Sequence, residues 1–207
     1  AMDMSLRDGI AVHYAETHDN DRLAARSHIY AKMRTALCAL CSSQGGFGFA
    51  NGVEWFADAR INVHEAGPLN WGSPINQVEA IRRLNILLRS HPAFFEEVDL
   101  KLIQQGGGNF IVLSRLHKPS GKKLVIVVNL DDGNEAEACW DYQQDMPQTP
   151  LIDLLTGHEI FVTSSSNSHS CKLTPGEVLC LTSDSDDLKL FEQPEKLSFQ
   201  PDRLLLQ

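Results

Sequence analysis

The chain has 207 residues, 43% of them hydrophobic and 22% charged, with a formal net charge of −9. That length can bury one large core or two small ones, and an acidic balance with scattered Lys and Arg disfavours nucleic acid as a partner. No apolar run approaches the ~20 residues of a membrane-crossing helix. The five cysteines, Cys38, Cys41, Cys139, Cys171 and Cys180, are an odd number in a long chain and read as reduced thiols of a cytoplasmic protein.

The first residues, Ala1-Met2-Asp3-Met4-Ser5-Leu6, lack the charged start and apolar core of a signal peptide. Ala1-Met2 reads as a vector remnant, with the natural chain beginning upstream. Gly9-Ile10-Ala11-Val12-His13-Tyr14-Ala15 is apolar enough for a strand buried on both faces. A polar burst, Glu16-Thr17-His18-Asp19-Asn20-Asp21-Arg22, follows it. Residues 23–41 then hold strong helix formers, with Ile29, Met33, Ala36, Leu37, Leu40 and Cys41 at three- and four-residue spacing, which predicts one helix with one buried face.

Gly46-Phe47-Gly48-Phe49-Ala50 is a short Gly-rich strand, and residues 51–73 form an irregular polar loop. Ser73-Pro74 supplies an N-cap and a first-turn proline, predicting a helix over 75–89 that His91-Pro92 ends. Near residue 98 the texture changes. Runs at 109–114, 123–129, 136–140, 151–155, 159–162 and 177–181 read as strands, with tight turns at Pro119-Ser120-Gly121 and Thr156-Gly157. Strands at that spacing without helices suggest a sandwich. The Ser-rich stretch 163–170 reads as a flexible loop, and Gly106-Gly107-Gly108 as a hairpin or linker.

The chemistry concentrates in the burst after the first strand. Three carboxylates, a histidine and an arginine lie between a strand and a helix. In a barrel of alternating strands and helices that position is the active-site rim, where such groups converge on a polyhydroxyl ligand. The competing reading is helix capping, since Asp19, Asn20 and Asp21 are all good N-cap residues.

Other signals carry less. Cys38-x-x-Cys41 is one pair inside an apolar helix, short of the four ligands of a zinc site. No two histidines share metal-ligand spacing, so no metal and no cofactor is expected. Trp140 alternates within a strand and reads as core, while Trp55 and Trp71 fall in the loop after the Gly-rich strand and either line a ligand subsite or cover a rim.

Taken in order, these segments resemble the α-amylase superfamily of glycoside hydrolases and transglycosidases. Tyr14-Ala15-Glu16-Thr17-His18-Asp19 resembles the end of that family's seventh barrel strand with its His-Asp pair. Gly45-Gly46-Phe47-Gly48-Phe49-Ala50-Asn51-Gly52-Val53-Glu54 resembles the Gly-rich eighth strand. Ile81-Arg82-Arg83-Leu84-Asn85 through His91-Pro92-Ala93 resembles the eighth helix and its exit. The resemblance covers residues 9 to about 95, and the β-rich half matches the family's C-terminal domain in position and texture.

The resemblance implies an α/β plus all-β chain: residues 1–97 as the C-terminal portion of a (β/α)₈ barrel and 98–207 as a small antiparallel β-sandwich domain. It implies Asp19 as the catalytic carboxylate that stabilises an oxocarbenium-like transition state, and His18 as a hydrogen-bonding partner of the same sugar. Glu16 and Arg22 stand beside them as substrate-site residues that order the loop. The nucleophile and acid/base of this family, which retaining chemistry holds ~5 Å apart, lie on strands upstream of everything here. The implied function is a fragment of an α-glucan-active hydrolase or transglycosidase, inactive alone. A non-catalytic β-sandwich module for carbohydrate binding or domain packing is the alternative. A strand–helix–strand–helix unit needs neighbours on both edges, so either the two halves cover each other or upstream strands are missing, with self-association through the exposed strands.

Overall fold

The computed structural model describes residues 11–17, 19–42, 45–62, 64–65, 67–95, 97–141 and 150–192. The apolar run after residue 9 forms strand β1 (Ala11–Tyr14). It pairs in parallel with β2 (Gly45–Gly48), Ala11 opposite Gly45 and Tyr14 opposite Gly48. Parallel neighbours require a crossover, and the expected helical stretch supplies it.

That stretch is two helices rather than the single one expected over 23–41: α1 (Leu23–Arg26) and α2 (His28–Leu40). Ser27 between them is extended, and its hydroxyl accepts from the Tyr30 N–H as the N-cap of α2. The same hydroxyl donates to Asp132 at 2.9 Å, and Arg26 pairs with that carboxylate. Helix propensity is satisfied on either side of Ser27, so the break follows from a tertiary contact that periodicity cannot register.

Helix α3 (Val78–Ser90) begins three residues later than expected, and its N-cap is Gln77 rather than Ser73. The cause lies outside the helix. Gln77 is buried, its N–H donates to Glu54 O at 2.9 Å and its Nε2 to Val53 O at 2.8 Å. These bonds pin the chain to a 3₁₀ turn at Val53–Trp55 before the helix can start. His91 ends α3, and its Nδ1 accepts from the Ala93 N–H.

The second half is antiparallel. Strands β3 (Val98–Leu102), β4 (Phe110–His117), β5 (Lys123–Asn129), β7 (Leu151–Asp153), β8 (Glu159–Ile160) and β11 (Val178–Thr182) form a sheet in the order β3-β4-β5-β11-β7-β8. Strands β6 (Ala136–Asp141), β9 (Thr163–Ser164) and β10 (Ser168–Leu173) form a second sheet, β6-β10-β9. Most of the stretch expected to be a flexible loop at 163–170 is therefore paired. His169 stands opposite Trp140, is buried, and lies 2.8 Å from the Ser164 hydroxyl through Nδ1. Serine and asparagine mask a strand here because the pairing strand, not local propensity, supplies the stabilisation. Strand β3 was not among the expected runs; it forms with β4 the hairpin that the triple glycine offered.

The larger sheet is covered on both faces, and β5 shows how. Leu124, Ile126 and Val128 join a core with Met33, Ala36, Ala39 and Leu40 of α2 and Leu84 and Leu87 of α3. Val125 and Val127 alternate to the other face, against Ala138, Trp140, Cys171 and Leu173 of the smaller sheet. Period-two alternation with both sets apolar is the signature of a strand buried on two sides. The molecule is thus mixed α/β, mostly antiparallel, with the helices of the first half laid on the sheet of the second.

One buried cation fastens these halves. Arg115 on β4 is 1% exposed and donates through Nε to Ala93 O and through Nη1 to Leu40 O and Ser42 O, at 2.8, 2.8 and 2.9 Å. Its guanidinium lies 4.3 Å from the Phe94 ring centre. Burial pulls its pKa down to about 10, so it stays charged at neutral pH and satisfies the C-terminal carbonyls of α2.

Candidate functional site

Strands β1 and β2 run side by side, so their C-terminal ends open in one direction. A cleft of ≈ 720 Å³ lies there. Tyr14, Glu16, Thr17 and Asp19 line it from the β1 end, Ala50 and Asn51 from the β2 end, and Ile61, Gly67 and Leu69 from the following loop. In α/β folds ligands bind at the carboxyl ends of parallel strands, because that is where the loops to the helices converge.

Asp19 sits on an exposed turn at this wall. The turn is held by the Asn20 N–H on Thr17 O and by the Thr17 hydroxyl donating to the Asn20 side chain at 2.9 Å. Arg60 reaches across from the loop and donates to the Asp19 carbonyl at 3.0 Å. His18 lies outside the described residues.

Glu16, which lines the cleft, pairs with Arg22. Both are buried, and Arg22 Nε is 2.8 Å from Glu16 Oε1. Glu16 Oε2 accepts from the Leu23 N–H at 2.7 Å, so this carboxylate caps α1 from seven residues upstream. None of Asp19, Asn20 and Asp21 caps α1: its N-cap position is Arg22, without a side-chain cap of its own. Arg22 Nη2 donates to Asn51 O at 2.9 Å. The pair therefore ties the β1 loop to the β2 loop and fixes both lips of the cleft.

Two glycines make this close approach possible. A Cβ at Gly48 would lie 2.7 Å from the Tyr14 ring, which stands opposite it in the sheet. Gly52 has φ +90°, and a Cβ there would meet Ala57 at 2.8 Å and Arg22 Nη2 at 3.1 Å. Gly48 in β2 and Gly52 in the loop after it thus each have a packing reason.

Beyond Leu69 the loop carries Trp71, 66% exposed, whose ring centre lies 6.1 Å from that of Trp55 at a 49° tilt. Trp140, expected in the core, is fully buried. Sequence reasoning did not single out Arg60 or Ile61; they sit in an irregular loop with no periodicity, and only the fold brings them to the cleft. The five cysteines are free. Burial pushes Cys38 and Cys41 up to about 11 and Cys171 up to about 12, which leaves these thiols unreactive at neutral pH. Among the described residues no cluster of three or more His, Cys, Asp or Glu could hold a metal ion, and no helix is long and apolar enough to cross a membrane.

No family model matches the sequence, and no curated protein matches it. Solved structures do. A noncanonic maltogenic α-amylase from Thermotoga neapolitana superposes with TM-score 0.66 at 14% identity, over 84% of this chain and 41% of that one. A γ-CGTase from an alkalophilic Bacillus clarkii gives 0.64 at 18% identity, over 82% and 25%. An α-amylase from Lactobacillus plantarum gives 0.58 at 14% identity, over 83% and 38%. The chain therefore has the fold of a part of α-amylase-type enzymes, and it spans from a quarter to two-fifths of their length.

Proposed function

We propose that this chain is the C-terminal portion of an α-glucan-active glycoside hydrolase or transglycosidase. The observation that carries the reading is the cleft at the carboxyl ends of two parallel strands, with Asp19 on its wall. Residues 1–97 contribute the last two β/α units of a (β/α)₈ barrel, and 98–207 form the C-terminal β-sandwich domain. Asp19 stabilises the positive charge that develops on the sugar ring, with His18 hydrogen-bonding the same ring. Glu16 and Arg22 act from beneath. Their buried pair fixes the loop on which Asp19 stands, and preorganised charge is what makes such stabilisation effective.

Hydrolysis or transfer in this class needs a nucleophile and a proton donor, which upstream strands would supply. Among the described residues β1 and β2 pair only with each other, which supports an open barrel wall that takes further strands, from the upstream segment or from a second copy. Free thiols support a reducing, cytoplasmic setting. The expected ligand is an α-glucan or oligosaccharide.

Alone on maltooligosaccharides, the chain is expected to give no turnover. Extended upstream within its own gene, the protein is expected to cleave or transfer α-glucans. Asp19→Asn in that longer protein should lower kcat/KM by about 10²–10³-fold. Robust activity of the short chain that disappears with Asp19→Asn would overturn the assignment of a missing nucleophile. Full activity of the longer Asp19→Asn protein would overturn the role of Asp19.

A further inference from the structure

We propose that Trp55 and Trp71 form an aromatic ledge that stacks a pyranose ring of an α-glucan lying outside the cleft. The choice of ligand class rests on the function proposed above; the ledge itself rests on geometry. Trp71 is 66% exposed, and it does not stand singly. Its neighbour in space is Trp55, 6.1 Å away with the ring planes 49° apart. The Trp55 N–H is buried, so what this indole offers outward is ring carbon rather than a donor. Two indoles at such an angle make a shallow V, whose faces suit the C–H faces of a sugar while its hydroxyls remain in water.

Both indoles stand on braced backbone. Asn70 adopts φ +54° and donates from Nδ2 to Phe56 O at 3.0 Å, and the Ser73 N–H closes the turn on Asn70 O. Trp55 sits in the 3₁₀ turn that Gln77 holds with two hydrogen bonds. A platform fixed before binding loses little entropy when a ligand settles on it. Leu69, two residues before Trp71, lines the cleft, so a glucan leaving the cleft meets the ledge on the same loop. A protein partner needs roughly 800 Å² on its side, more than an indole pair provides, and the V suits a narrower occupant.

The test reads tryptophan emission of this chain during titration with maltoheptaose, with cellohexaose as the β-linked comparison. The chain has three tryptophans, and buried Trp140 gives a constant background. Maltoheptaose is expected to shift the emission saturably. Trp71→Ala should weaken binding about tenfold, and Trp71→Phe should retain most of it. An unchanged melting temperature checks that the alanine variant is folded. Saturable maltoheptaose binding that Trp71→Ala leaves unaltered would overturn the ledge and leave the Asp19 cleft standing. No response of the unaltered chain would also overturn the ledge, since both indoles are present in it. The cleft is judged separately, by the activity of the longer protein.

Discussion

At Arg22 and Glu16 an ion pair with almost no solvent access carries two loads. It neutralises a charge that would be costly to bury alone, and it joins the two loops that frame the cleft. Removing one partner leaves the other uncompensated, so Arg22→Ala is expected to cost about 3–5 kcal/mol of stability. Urea unfolding checks it; a loss below 1 kcal/mol would mean the pair is not structural. Asp19, exposed a few residues earlier, should tolerate Asn with stability changed by less than about 0.5 kcal/mol, which makes it a clean probe of function. Gly52→Ala should be strongly destabilising, because the added Cβ meets Ala57 and Arg22 in a backbone conformation that L side chains rarely adopt.

Between elements, the charges on the 3₁₀ turn at Ser185–Phe191 decide how the end of the described chain docks. Asp187 is buried. Its carboxylate accepts from Thr182 Oγ1 at 2.7 Å and Lys122 Nζ at 2.6 Å, and His91 Nε2 lies 3.3 Å away. Burial works to raise this carboxyl, but the bonds from His91, Lys122 and Thr182 outweigh it and hold it at about 2. A carboxyl held below its unfolded value of about 3.9 favours the folded state above that value and loses the advantage as pH falls through 2. Stability is therefore expected to drop by the order of 2 kcal/mol between pH 4 and 2 from this group, and Asp187→Asn should flatten that part of the profile in thermal melts. At the α1–α2 junction, Ser27→Ala removes both a cap and a bond to Asp132, at an expected cost of about 1 kcal/mol measurable in the same melts.

For the whole molecule, the helices of residues 23–90 and the strands of residues 98–182 bury their apolar faces in one shared core. A single cooperative unfolding transition is the expected result in calorimetry; two separated transitions would mean the halves are independent. Ile126→Ala, at the centre of that core and fully buried, should lower the stability of the whole by about 2–5 kcal/mol.

The sequence by itself carried the strand before the acidic cluster, the Gly-rich parallel partner, the two helical faces and most of the β-rich runs, because period and turn residues are local signals. It also placed Asp19 at the loop that the fold opens onto the cleft. Tertiary contacts decided the rest. Ser27 splits a helix because Asp132 is within reach, Gln77 delays α3 because Val53 and Glu54 hold it, and a Ser-rich stretch becomes β10 because β6 lies alongside. Glu16 and Arg22 became a buried brace and Trp71 stayed exposed. Whether a polar or aromatic side chain faces water depends on what packs over it from distant parts of the chain, and local spacing contains no record of that.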